Sequence, residues 1–241
     1  MAGRWSLKPV PAHARRLLFG FPYAGGGASL YRQWPQEVAG SWFCPLQPPG
    51  REHRFGEPPV RTHAEFTAAL VEFLAGYRDR EYSFFGHCGG VPLALSTVLA
   101  LEDAGLPLPV RVFASGWGAP HRGLYGPLNF VDLRTADLHA EVRGLFRRIG
   151  LTARPDVVDI AAANLRVDLE LHRPHRYDAA RFLPAPVTVI AWSDDDVVPV
   201  DQVCDGWAEC ADVTYHVLPG EHFAFTRCPD ALRELFARPA Q

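Results

Sequence analysis

Gly86-His87-Cys88-Gly89-Gly90 follows the apolar run Tyr82-Ser83-Phe84-Phe85 and precedes a helix-compatible stretch from Val91 to Glu102. The order is strand, sharp turn, helix, with a nucleophile-type side chain at the apex. Glycines flank that side chain because the turn brings strand and helix too close for larger residues. The arrangement is a nucleophile elbow of the G-x-S-x-G kind, with sulfur in place of oxygen.

Working outward, strand-like runs alternate with helix-like ones. Arg16–Phe21 is a strand candidate that leads into the glycine-rich Pro22-Tyr23-Ala24-Gly25-Gly26-Gly27, and Trp42–Leu46 is a second, ending in Pro48-Pro49-Gly50. Thr62–Tyr77 reads as a helix, with Phe66, Ala69, Leu70, Phe73 and Leu74 near helical spacing. Val110–Ser115, Val187–Trp192 and Val213–Leu218 complete the strand series. Alternation of this kind predicts a mostly parallel, doubly wound α/β sheet. With the elbow, it predicts an α/β-hydrolase fold, as one domain over residues 1–241. From about Pro127 to Phe182 the alternation stops. Helical patterns over Leu133–Ile149 and Val157–His172 predict a helical lid inserted over the active-site face.

Composition narrows the function classes. The 241 residues are 48% hydrophobic and 21% charged, with a formal net charge of −3. That is enough apolar content for one sizeable core, and it points away from a nucleic-acid partner. No run reaches the roughly 20 apolar residues of a membrane helix. Met1 to Ala14 lacks the apolar stretch of a secretory signal, so the expected location is cytoplasmic, without membrane attachment. Five cysteines without C-x-x-C spacing indicate neither a disulfide framework nor a zinc site.

A cysteine on an elbow needs a base and an acid to orient that base. In this fold they follow in the order nucleophile, acid, histidine. Past Val213–Leu218 stands Pro219-Gly220-Glu221-His222-Phe223, which makes His222 the base. Past Val187–Trp192 stands Ser193-Asp194-Asp195-Asp196-Val197-Val198-Pro199. Three adjacent carboxylates cannot all face one imidazole; Asp195 is first choice by its distance from the strand end, Asp194 second, and the remaining two read as a solvated, turn-forming pair. The oxyanion donors expected of the fold are the backbone N–H of Gly89 and one from the Tyr23-Ala24-Gly25 region. The glycine run lacks the Lys-Ser/Thr of a P-loop, which sets phosphate binding aside.

Four ordered stretches carry a family resemblance: Phe21-Pro22-Tyr23-Ala24-Gly25-Gly26, Leu46-Gln47-Pro48-Pro49-Gly50-Arg51-Glu52, Gly86-His87-x-x-Gly90 and Gly220-Glu221-His222-Phe223. Together, from about Leu17 to Leu235, they resemble the type II thioesterases that serve polyketide synthases and nonribosomal peptide synthetases. The resemblance implies hydrolysis of acyl groups held as thioesters on the phosphopantetheine arm of an acyl or peptidyl carrier protein. It implies Cys88, His222 and Asp195 as the triad and Ala24 and Gly89 as oxyanion donors. It also implies a monomer with no metal and no cofactor beyond the pantetheine of the substrate. The chain departs from that family twice. Serine is usual at position 88, and a bulkier apolar residue, often methionine, at position 89, so the pocket is expected to lose an apolar wall there. With sulfur as nucleophile three readings stay open: hydrolysis through a Cys88 acyl-enzyme, transfer of the acyl group to another thiol, amine or hydroxyl, and a trapped or inactive site.

Of the remaining candidates, His172-Arg173-Pro174-His175 has H-x-x-H spacing, but Pro174 interrupts the helix and no carboxylates accompany it; these read as surface or supporting histidines. Arg143, Arg147 and Arg148, with Arg173 and Arg176 beyond, form a basic stretch that could dock an acidic carrier or serve as a solvated face. The aromatic pairs Phe84-Phe85 and Phe223/Phe225 read as core.

Overall fold

Backbone alternation on the strands sorts the core into two layers. Leu17, Phe19, Phe84, Val112, Ala114, Val187 and Val189 pack into one cluster, whereas Leu18, Phe85, Phe113, Ile190 and Trp192 pack into a second. Successive residues therefore face opposite sides of one sheet, and both sides are covered, as a doubly wound fold requires. In the computed structural model, which describes residues 5–239, the strands are β1 (Arg16–Gly20), β2 (Glu37–Val38), β3 (Ser41–Pro45), β4 (Glu81–His87), β5 (Val112–Ser115), β6 (Val187–Trp192) and β7 (Val213–Leu218). They lie in the order β2-β3-β1-β4-β5-β6-β7. All neighbours are parallel except β2 and β3. Helices α1 (His63–Leu74) and α2 (Gly90–Asp103) supply Phe66, Leu70, Val91, Ala94 and Val98 to the first cluster. Leu232 and Leu235 of α6 (Asp230–Ala237) close the second.

The expected α/β-hydrolase architecture is what forms, with small shifts at its boundaries. Helix α1 begins one residue later than the pattern predicts, because Thr62 is its cap and accepts from the Glu65 amide at 3.1 Å. Between β5 and β6 stand α3 (Leu138–Arg148) and α4 (Pro155–His172). The apolar pattern placed the start of the first at Leu133. Asp132 instead turns the chain by accepting the Arg134 amide at 2.9 Å, and Asp137 caps the helix through the Ala140 amide at 2.9 Å. The second starts two residues early, since proline is favoured in a first helical turn. Leu133, Leu138, Val142, Val158, Ala162, Leu165 and Leu169 form a separate small core inside this pair. The short β2 had no legible pattern. A helix α5 (Val200–Cys204) completes the set.

The elbow shows why its glycines are there. Cys88 has φ +48°, a left-handed conformation that non-glycine residues rarely adopt. A Cβ on Gly86 would lie 2.8 Å from the carbonyl carbon and oxygen of Gly90, and one on Gly90 would lie 2.9 Å from the Pro22 carbonyl oxygen. Both contacts are with backbone, which cannot swing aside. Gly86→Ala is expected to lower stability by about 1–3 kcal/mol through overpacking. Chemical denaturation tests this; an unchanged midpoint would contradict the contact.

Candidate active site

The carboxyl ends of parallel strands are where such sheets hold their ligands, and three of the expected groups meet there. Cys88 follows β4, Asp195 follows β6 and His222 follows β7; all three are buried. His222 Nδ1–H donates to Asp195 Oδ2 at 2.7 Å. The other carboxylate oxygen, Oδ1, accepts from the Val197 and Val198 amides at 2.8 and 2.9 Å, which aims the carboxylate at the ring. The neighbouring aspartates have other partners. Asp194 accepts from the Ser193 hydroxyl at 2.8 Å. Asp196 takes a bidentate pair from Arg148 at 2.7 Å each, which holds its carboxyl below its usual range. Asp194 and Asp196 are both exposed, as a solvated pair should be, and Asp196 also ties the loop after β6 to α3.

Burial works against a charge on His222. The bond to Asp195 and the proximity of Cys88 outweigh it and raise the ring to about 9. Its Nε2 has no partner at hydrogen-bond geometry, and Cys88 acts on it as a nearby polar group. Below lies His87, whose ring centroid is 4.4 Å from that of His222 and whose face stacks on Phe225 at 4.0 Å. Ser115 Oγ, which accepts from Trp192 Nε1 at 2.9 Å, bonds His87 Nδ1 at 2.9 Å. Burial, then His222, holds His87 well below the ordinary histidine range. It is a neutral floor under a ring disposed to charge.

Ala24 and Gly89 face one another: a Cβ on Gly89 would lie 3.5 Å from the Ala24 nitrogen. The loop holding Ala24 is pinned from beyond the sheet. Gly25 N–H donates to Asp168 Oδ2 at 2.6 Å, Arg51 pairs with the other Asp168 oxygen, and Arg51 Nη1 donates to the Gly26 carbonyl at 2.6 Å. The ion pair is buried, with side chains 5% and 7% exposed. Above these groups is a cavity of about 760 Å³, walled by Tyr23, Cys88, Trp117 and Phe223 below and by Leu145, Val157, Ile160 and Leu165 of α3 and α4 above. Phe223, expected in the core, thus reaches the cavity. Its size and mixed apolar lining suit an acyl chain. Among the described residues no group of three or more histidine, cysteine or carboxylate side chains could hold a metal ion, and no helix is long and apolar enough to cross a membrane.

A thioesterase domain model matches residues 16–238. The chain belongs to the thioesterase domain family. It is 30% identical over 233 residues to linear gramicidin dehydrogenase LgrE of Brevibacillus parabrevis, covering 91% of this chain and 86% of the relative. Among solved structures it resembles the RedJ thioesterase from the prodiginine pathway of Streptomyces coelicolor (29% identity, TM-score 0.74, 96% of this chain and 90% of that one). It also resembles YbtT, a type II thioesterase of a yersiniabactin pathway (26% identity, TM-score 0.76, 96% and 94%).

Within this thioesterase frame several residues escaped the sequence reading. His172, expected at the surface or in support, is buried in the cavity wall, and its Nε2 would be 3.1 Å from a Cβ on Gly89. The space vacated by the glycine is filled by an imidazole rather than left without a wall. Asp168 was missed as well. The legible signal was periodicity: Val158, Ala162, Leu165, Leu169 and His172 mark the buried stripe of α4, and Asp168 lies within it. The basic stretch is largely committed internally. Arg148 holds Asp196, Arg173 donates to the Leu128 and Val131 carbonyls at 2.9 and 2.6 Å, and Arg176 donates to the carbonyls of Arg173 and His175.

Asp168→Ala strands the buried Arg51 and the Gly25 amide, and is expected to cost about 3–5 kcal/mol in denaturant unfolding. Because the folded-state value of His222 lies above its unfolded one, its contribution to stability is complete below about pH 6.5. It is lost as pH rises through about 9. Asp195→Asn should flatten that part of the stability profile.

Proposed function

We propose that the protein is a type II thioesterase-like enzyme that removes acyl groups from carrier-protein phosphopantetheine through a Cys88 acyl-enzyme, with water as the final acceptor. The observation that carries this reading is the buried 2.7 Å His222–Asp195 pair beside the Cys88 elbow, whose cysteine lines the acyl-sized cavity. The thiolate of Cys88 attacks the thioester carbonyl, and the developing oxyanion lies between the N–H groups of Gly89 and Ala24. Each such donor lowers the barrier by about 3 kcal/mol. The carbon–sulfur bond to pantetheine breaks, and the departing thiol takes a proton from His222. A water molecule then attacks the acyl-enzyme, gives its proton to His222 and releases the acid and Cys88. Asp195 keeps the imidazole in the required tautomer throughout. The partner is an acyl or peptidyl carrier protein, the enzyme acts as a monomer in the cytoplasm, and pantetheine enters only as part of the substrate. Helices α3 and α4 serve as the lid.

Sulfur at the elbow favours a second reading. Exchange between two thioesters is nearly isoenergetic, so an acyl group on Cys88 stays activated and can pass to another thiol, an amine or a hydroxyl. Intact-protein mass spectrometry with an acylated carrier, with and without a second holo carrier, separates the two. Hydrolysis predicts a transient acyl mass on Cys88 and free acid formed at the same rate in both mixtures. A mass that persists until the second carrier arrives, and then moves to it, replaces hydrolysis with transfer. Cys88→Ala should carry no acyl mass; if it does, Cys88 is not the nucleophile.

A further inference from the structure

Behind Gly89 a row of polar side chains runs from the cavity wall through the packing of three helices. His172, the last residue of α4, has one ring nitrogen against Gly89 and the cavity. Its other nitrogen, Nδ1, lies 3.1 Å from Nε2 of His63, the first residue of α1. His63 Nδ1 is 2.8 Å from Ser96 Oγ of α2, and that hydroxyl is 3.2 Å from His175 Nε2. His63 and His175 also stack face to face, with centroids 3.6 Å apart and parallel rings. His63 and His172 are buried, and His175 is half-buried beside a small cleft of about 50 Å³, room for water, that it shares with His121 and Arg176. None of these four side chains touches the acyl group or the His222–Asp195 pair in the proposed hydrolysis.

Three histidines this close are held neutral. Burial, then His172 and His175, pushes His63 far below the ordinary range; burial brings His172 to about 4 against the pull of Asp168, with His175 and Arg51 adding to it; burial and Arg176 lower His175. A neutral imidazole has one donor and one acceptor nitrogen, and a serine hydroxyl has one proton. Unbroken bonding along the row therefore allows only two polarities. In one, all three rings carry hydrogen on Nδ1, Ser96 donates to His175, and His172 offers the cavity a bare Nε2. In the other, all three carry hydrogen on Nε2, Ser96 donates to His63 Nδ1, and His172 offers the cavity an N–H.

We propose that His172, His63, Ser96 and His175 form a proton relay between the catalytic cavity and the protein surface. A proton taken up at His172 Nε2 displaces the Nδ1 proton to His63 Nε2. The His63 Nδ1 proton passes to Ser96, the serine proton passes to His175 Nε2, and the His175 Nδ1 proton leaves to water. One proton enters, one leaves, and the row switches from the first polarity to the second. Hydrolysis of a thioester at neutral pH releases a carboxylate, a thiol and one proton, and beneath the two covering helices that proton needs a way out. This use in turnover rests on the thioesterase reading; the relay itself does not. Gly89 belongs to the device, since a side chain there would press on His172 Nε2.

Long-range 1H–15N spectra of the histidine rings test the relay without any substrate. All three rings are expected in one tautomer, and Ser96→Ala should uncouple His175 from the other two while Ser96→Thr keeps them matched. His175 carrying hydrogen on Nε2 while His63 carries it on Nδ1 would overturn the proposal, because Ser96 could then only accept. In turnover of an acylated carrier, Ser96→Ala is expected to lower kcat about 3–10-fold at unchanged KM. It should also turn a curved proton inventory in mixed H2O and D2O into a linear one, with Ser96→Thr restoring both. Parent-like rate and inventory in Ser96→Ala, with circular dichroism showing the same fold, would equally overturn it. No turnover by the parent would sink the thioesterase reading and leave the tautomer test to decide the relay.

Discussion

The buried pair of Arg51 and Asp168 joins three parts of the chain that no secondary structure connects. Arg51 stands in the loop after β3 and Asp168 in the last turns of α4, and between them they hold the Gly25 amide and the Gly26 carbonyl. The charges are far from water, so their cost is offset only while every partner is present. The loop presenting Ala24 is therefore positioned by the same contact that fixes the covering helix. The position of Ala24 and the shape of the cavity are set together.

Charge is distributed with similar economy around His222. Three consecutive aspartates would repel one another if they faced one point, yet each has a different counterpart: a hydroxyl for Asp194, two amides and an imidazole for Asp195, a guanidinium for Asp196. The turn after β6 splits them in direction. His87 adds a neutral imidazole packed at a tilt against His222, whose Nδ1–H is given to Asp195.

Much of this was legible in one dimension. The elbow, the strand series and the loops holding His222 and Asp195 are local signals, because each depends on residues adjacent in the chain. The boundaries of β6 and β7 follow from the same apolar runs. What stayed hidden depends on meetings across long separations. Arg51 and Asp168 are 117 positions apart, and His63 and His172 are 109 apart. Gly89 looked like a missing wall because nothing local announces that His172 fills it. The start of α3 was misplaced for a different reason: Leu133 is apolar and buried, but it packs from a turn fixed by Asp132 rather than from a helix.

The small core inside α3 and α4 has a mechanical consequence. A cluster that is satisfied within its own pair of helices can detach as a cooperative unit at less cost than global unfolding. Its moorings are unequal. The carboxyl end of α4 is anchored by Asp168 and His172 in buried contacts, whereas α3 is tethered by the exposed Arg148–Asp196 pair, of a kind worth at most about 1 kcal/mol. The two helices are therefore held unequally, firmly at the end of α4 and weakly at α3.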